Sequence, residues 1–151
     1  MDRVLWKERE GALSSAPSQW TFSFLKPESL RQRIAGEVIT RLERKGLTLK
    51  QLRLHRITPA EAHALYEVHK GKPFFHELVD HVTSGPVLLL VLEGPNAVET
   101  VRKVIGGTNP LLAEPGSIRG DFSVSITANV IHASDSAENA RREAAIFFPE
   151  L

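Results

Sequence analysis

The 151-residue chain contains no cysteine. That removes disulfide frameworks, zinc thiolate centres and cysteine nucleophiles, and it permits a reducing compartment. Neither charge is in excess: 19 Lys and Arg stand against 18 Asp and Glu, a formal net charge of +1. A site for an anion must therefore be built locally, because the overall field does not supply it. Long apolar runs are missing too. The longest, "VLLLVL" at 87–92, falls far short of the roughly 20 residues that cross a bilayer, and it reads as a buried strand. The opening "MDRVLWKEREGALSSAPSQ" lacks the apolar stretch of a secretory signal, so a cytoplasmic protein with no membrane partner is expected. The sequence contains no GxxxxGK[ST] phosphate loop and no HExxH. His76 and His81 are five apart, which points them about 140° apart on a helix. A zinc site is disfavoured on that geometry. The shortage of clustered carboxylates likewise disfavours a metal-dependent phosphatase or nuclease.

Residues 1–19 read as a flexible N-terminal extension, with "GALSSAPSQ" as a linker. The domain then runs over 20–151. "WTFSFL" alternates Trp20, Phe22 and Phe24 with Thr21 and Ser23, a strand pattern closed by "KP". Ile34, Ala35, Val38, Ile39 and Leu42 recur at helical spacing, and Gly46 stops them. "LTLKQLRLHRI" (47–57) is a second strand. Thr58, Pro59 and Glu61 form a helix start with a capping box. Pro73 opens another short helix, and 86–92 is the buried strand. Val98, Val101, Arg102 and Ile105 give a helix ending at Gly106-Gly107. Residues 108–120 have no period and read as a long functional loop. "DFSVSI" (121–126) reads as the last strand, and Asp135 or Ser136 caps a final helix. Strands and helices in β-α-β-β-α-β order predict a ferredoxin-like α+β sandwich, a four-stranded antiparallel sheet with helices on one face.

The six histidines differ in context. His55, His63, His69, His76 and His81 read as surface or rim residues. His132, in "NVIHASDS", follows an apolar run and precedes a capped helix whose N-terminus offers unpaired N–H groups. It is either a packed histidine or a nucleophile, since a neutral imidazole is nucleophilic near neutral pH. Lys26, Arg102 and Arg119 each read alone as a solvated cation. All three, however, sit beside Pro/Gly turns or at element ends, where they could meet one phosphate.

Taken in order, "TFSFLKPES", "HKGKPFF", "TSGPVLLLVLEGPNAV", "GGTNP", "PGSIRGDF" and "NVIHASDSAENARREAAIFF" resemble nucleoside diphosphate kinases. The resemblance runs from about residue 20 to the C-terminus, and "TFSFLKP" and "HKGKPFF" lean towards bacterial members. It implies the same ferredoxin-like fold. It also implies ping-pong transfer of a γ-phosphate from a nucleoside triphosphate to His132 and then to a nucleoside diphosphate, with Mg2+ carried on the nucleotide rather than by protein ligands. Glu143 and Ser134 match the residues that support His132. Lys26 and Asn129 match those that hold the ribose and nearby phosphate. Tyr66 lies at the mouth, Phe74 and Ile126 match the apolar clamp on the base, and Arg102, Thr108 and Arg119 match the phosphate-binding set. Specific nucleic acid is not implied. The alternative is a nucleotide-binding or scaffold relative in which transfer is slow.

The chain departs from the family's usual wording in places. Ala133 stands where glycine commonly follows the histidine; a left-handed backbone there would cost on the order of 1 kcal/mol. "KPES" replaces the more usual Asp or Asn followed by Ala or Gly. Gln32-Arg33 lies where Arg-Gly is frequent, and Ala128 where Arg or a polar residue is. Longer members continue past "FFPEL" with a tail that contacts neighbouring subunits. Its absence here points to a homo-oligomer that is a dimer or dimer-based tetramer rather than a hexamer.

Overall fold

Residues 18–151 are described by a computed structural model; of the extension expected over 1–19, residues 1–17 lie outside the described residues, while Ser18 and Gln19 open the first strand. The first strand, β1, is Ser18–Leu25. It is followed by α1 (Pro27–Arg31), α2 (Ala35–Arg44), β2 (Thr48–His55), α3 (Pro59–Leu65), a single 3-10 turn at Glu67–His69 and α4 (Phe75–Val82). The chain continues through β3 (Val87–Pro95), α5 (Ala97–Ile105), α6 (Ile118–Phe122), β4 (Ile131–Ala133) and α7 (Ala137–Phe147). The four strands lie in the order β2-β3-β1-β4, every neighbouring pair antiparallel. That is the expected ferredoxin-like sheet.

Sequence signals act locally as read. Thr58 and Glu61 form a reciprocal capping box with Pro59 in the first turn of α3. Ser136, of the two candidate caps, closes α7 by accepting from Asn139 N–H at 3.1 Å. Gly46 and Gly106 take positive φ (100° and 84°) just past α2 and α5, a conformation glycine adopts without a Cβ clash.

The sheet is covered on both faces, one more than expected. Leu90 and Leu92 of β3 pack with Val38 and Leu42 of α2 and Val101 and Ile105 of α5. Leu89 and Val91, on the opposite face, pack with Phe22 and Phe24 of β1 and with Leu65, Val79, Ala144 and Phe147 from α3, α4 and α7. A strand apolar at consecutive positions needs cover on both sides. The uninterrupted "VLLLVL" is the local signature of that arrangement.

The expected strand at 121–126 is not formed. Asp121 and Phe122 end α6, and the fourth strand lies at 131–133. Ser117 caps α6 by accepting from Gly120 N–H, while Asp121 accepts from Gly116 N–H and from Arg41. These side-chain bonds favour a turn over a ladder. The alternating Val124 and Ile126 point to solvent, 79% and 59% exposed, so no core holds them in a strand.

Three non-glycine residues among those described have positive φ: Arg33, Asn96 and Val130. Ala133 is not one of them; it lies in β4 opposite Ser23 and carries no left-handed strain. Arg33, in contrast, sits at φ 59° between α1 and α2. Arg33→Gly should therefore raise stability by about 0.5–1 kcal/mol, as relief of the Cβ clash outweighs the added freedom of the unfolded chain. Urea denaturation of the two proteins checks this.

Candidate functional site

Strand register sets the site. In the β1–β4 pairing Phe24 lies opposite His132. The imidazole stacks on the Phe24 ring with centroids 4.8 Å apart and planes 20° apart. Ser23 Oγ donates to the His132 carbonyl at 2.5 Å. Because alternate residues of a strand face opposite ways, Ile131 and Ala133 enter one core while His132 faces the side covered by α3, α4 and α7.

From α7, Glu143 meets His132: Nε2 lies 3.1 Å from Glu143 Oε1. Ser134 Oγ donates to the other carboxylate oxygen. Burial by itself would push the Glu143 carboxyl up, but the bonds from His132 and Ser134 and the nearby Arg142 charge outweigh it and hold it below the usual carboxylate range. Glu143 is thus ionised and accepts. The contact therefore places a proton on Nε2, and in the neutral ring Nδ1 then keeps a free lone pair.

The segment before His132 is held equally closely. Ile131 N–H returns to the Asn129 carbonyl at 2.9 Å across Val130, which has φ 76°. This is a γ-turn of the rare positive-φ hand. Arg119, buried, spreads its guanidinium over three carbonyls: Asn129 at 3.2 Å, Gly106 at 3.1 Å and Ile131 at 2.7 Å. Lys26 donates from Nζ to Asn129 Oδ1 at 2.6 Å, and from its backbone N–H to the Val130 carbonyl at 2.9 Å. Asn129 Nδ2 donates to the Thr108 carbonyl at 3.2 Å. These partners are neutral. Burial lowers the Lys26 ammonium to about 8, with Glu28 opposing and Arg119 adding to the shift. Burial, then Arg102, lowers Arg119 to about 10. Two cations are kept in a poorly solvated place with no bound carboxylate, an arrangement an anion would complete.

A cavity of about 490 Å³ opens here. Lys26, Tyr66, Phe74, Arg102, Thr108, Arg119, Ile126, Asn129, His132 and Glu143 all line it, so ten of the eleven expected site residues meet. Ser134 is the other; it is buried behind Glu143 and acts on that carboxylate. Phe74 and Ile126, both exposed, stand at the mouth as apolar surfaces, while Tyr66 is buried in the wall and its phenol is pushed up by burial and by Glu143 and Glu28. Arg102 reaches towards the Ala133 carbonyl at 3.5 Å.

The cavity also recruits residues the sequence reading passed over. His69, expected at the rim, lines it and packs edge-on to Phe74 at 5.3 Å; burial, Lys72 and His132 lower its pKa, which favours the neutral ring. Asp135, Asn139 and Arg142 line it from the start and the inner face of α7. Arg142 donates to the carbonyls of Ala64 and Leu65. Only its position one residue before Glu143 could have hinted at this, because a helical arginine ordinarily reads as solvated.

The family model described as nucleoside diphosphate kinase matches residues 19–151. The chain belongs to the nucleoside diphosphate kinase family. It is 52% identical over 134 residues to the nucleoside diphosphate kinase of Hyperthermus butylicus, covering 89% of this chain and 94% of that one. It is 52% identical over 128 residues to that of Kosmotoga olearia, covering 85% and 87%. The solved nucleoside diphosphate kinase of Aquifex aeolicus superposes with a TM-score of 0.84 at 38% identity, covering 87% of this chain and 96% of that one. The nucleoside diphosphate kinase fold and its phosphotransferase class therefore apply to this chain.

Burial of Lys26 has a measurable cost. Its folded pKa, about 8, lies below its ordinary 10.5, so the unfolded chain holds the extra proton between those values and stability must rise with pH across that window. The destabilisation is fully present below pH 8 and fades towards 10.5. Urea unfolding from pH 7.5 to 10 should show wild type gaining on Lys26→Met, by up to a few kcal/mol. Parallel curves would show that Lys26 is not desolvated.

Proposed function

We propose that the chain moves the γ-phosphate of a nucleoside triphosphate to a nucleoside diphosphate through a phosphohistidine on Nδ1 of His132. The observation that carries this is the division of the ring: Nε2 is held by an ionised, buried carboxylate, and the opposite nitrogen is left free beside cations that lack an anionic partner. In the first half, the Nδ1 lone pair forms a bond to the γ-phosphorus, and the bond from that phosphorus to the β–γ bridging oxygen breaks. The electron pair leaves with the nucleoside diphosphate. The imidazolium that results keeps its proton on Nε2, where Glu143 stabilises it. In the second half, a terminal phosphate oxygen of another nucleoside diphosphate attacks the same phosphorus and returns the ring to its first state.

Lys26, Arg102 and Arg119, with Thr108, would hold the phosphates and offset the charge of the transferring group. Phe74 and Ile126 would sandwich the base. Flat stacking reads no hydrogen-bond edge, which suits an enzyme indifferent to base identity. Mg2+ would enter on the nucleotide. Among the described residues no group of three or more His, Cys, Asp or Glu could cage a metal. Of the carboxylates lining the cavity, Glu143 is committed to His132 and Ser134, and Asp135 remains at the edge to face a phosphate-borne cation.

A homo-oligomer is supported by β2. It is an edge strand, with Leu52 and Leu54 exposed to 50% and 66%. Such an edge invites a second copy of the chain, giving a dimer or a dimer-based tetramer. Leu52→Glu combined with Leu54→Glu should elute at monomer mass in size exclusion with light scattering, where the parent elutes as an oligomer.

The mechanism is tested by mixing the protein with γ-labelled ATP and Mg2+. Wild type should give an acid-labile, alkali-stable phosphoprotein that discharges when GDP is added, and His132→Ala should give none. Nucleotide binding without label would favour the slow, scaffold-like alternative. Undiminished label on His132→Ala would remove His132 as the nucleophile.

A further inference from the structure

Val130 is a β-branched residue at φ 76° with its side chain fully buried. Such a residue stays left-handed only when its surroundings over-determine it. Its carbonyl is taken by the Lys26 N–H at 2.9 Å. Its N–H donates to Glu28 Oε1 at 3.0 Å. Glu28, in the first turn of α1, is only 7% exposed, and it does not line the phosphate cavity. Its second oxygen, Oε2, lies 2.6 Å from Nε2 of His81, near the end of α4. Lys26 and Glu28, at the start of α1, therefore hold the two peptide groups that flank Val130, and α4 backs them through His81, two residues before the proposed nucleophile and next to Asn129.

We propose that Glu28 and His81 are a positioning couple for phosphoryl transfer. His81 fixes the Glu28 carboxylate, and Glu28 grips the Val130 N–H so that the strained turn keeps Asn129 and His132 in transfer geometry. Neither residue touches the substrate. The couple also links α4, whose Leu78 lines the cavity and whose N-cap is Phe74, to the turn that carries the chemistry. The departure "KPES" supplies the length this needs, because the glutamate side chain spans from α1 to both Val130 and His81. The ionisable groups facing Glu28 are His81 on α4, Lys26 beside α1 and Tyr66 after α3. Burial raises the Glu28 carboxyl, but the His81 bond and the charges of His81 and Lys26 outweigh it, so it is ionised and supports the Lys26 charge.

This rests on the phosphohistidine reading, so the test pairs a kinetic readout with one independent of it. Steady-state transfer from ATP to a nucleoside diphosphate is measured for wild type, His81→Gln, His81→Leu, Glu28→Gln and Glu28→Ala, with amide hydrogen exchange at Val130 followed by NMR. His81→Leu and Glu28→Ala should lower kcat on the order of tenfold or more, since small misplacements of reacting groups are costly. Both should speed Val130 exchange. His81→Gln keeps a donor and should restore most of kcat, which loss of packing alone would not predict. Glu28→Gln keeps an acceptor but removes the charge, so the alkaline limb of kcat/KM, set by Lys26, should move to lower pH. Should Glu28→Ala not fold, the His81 pair and Glu28→Gln decide the matter. Folded His81→Leu with wild-type kcat, or with slowed transfer but unchanged Val130 exchange, overturns the couple. Wild-type transfer without label on His132 overturns the phosphohistidine instead, and leaves the Val130 result to stand by itself.

Discussion

The site depends on one three-residue turn. Asn129, Val130 and Ile131 close on themselves through a single hydrogen bond, with the middle residue at φ 76°. That hand of turn is unfavourable for valine, and nothing local would hold it. Arg119 binds the carbonyls on either side, Lys26 binds the middle one, and Glu28 takes the middle N–H. The outcome is a backbone that delivers the Asn129 amide to one wall of the cavity and feeds directly into β4, where strand pairing fixes His132. Every other feature of the site is referred to this frame. Lys26 is both a strut of the turn and a charge in the pocket, and Arg119 has the same double duty.

That double duty explains the electrostatics. A buried cation bonded only to neutral carbonyls is costly, and a protein selected for stability alone would replace it or pair it. Here Lys26 and Arg119 keep positive charge poised with no carboxylate hydrogen-bonded to them, and their lowered pKa values record the desolvation involved. The one carboxylate deep in the cavity is engaged by His132 and Ser134, so it cannot neutralise the cations. The arrangement separates two tasks. Glu143 engages one nitrogen of the ring, and the cations are left with neutral partners only. In the proposed transfer, a preorganised field of this kind would need no rearrangement when charge shifts.

Much of the fold was legible from local chemistry. The capping box at Thr58, the glycine stops at 46 and 106, and the unbroken apolar run of β3 act over a few residues, so they read the same way in the chain and in the structure. The strand expected at 121–126 failed for a reason the pattern could not carry. Alternation specifies a strand only if one face is buried, and whether Val124 and Ile126 are buried is decided by what packs over them. The concern over Ala133 went the same way: strand pairing puts it in ordinary extended backbone, and the positive φ sits at Val130 and Arg33 instead.

The sequence by itself determined three of the four strands, the longer helices and the residue set that meets in the cavity, because residue types and spacings record local chemistry; α1, α6 and the place of the fourth strand it did not. It could not determine that Nε2 of His132 faces Glu143, that Arg142 and His69 turn inward, or that Glu28 of α1 reaches the turn at Val130 and is itself held by His81 of α4. Those are facts of distance between residues up to 102 positions apart, as for Glu28 and Val130. Only the packing of helices on both faces of the sheet brings such groups within hydrogen-bond range, and only burial among them moves the charges of Lys26 and Arg119 away from their ordinary values.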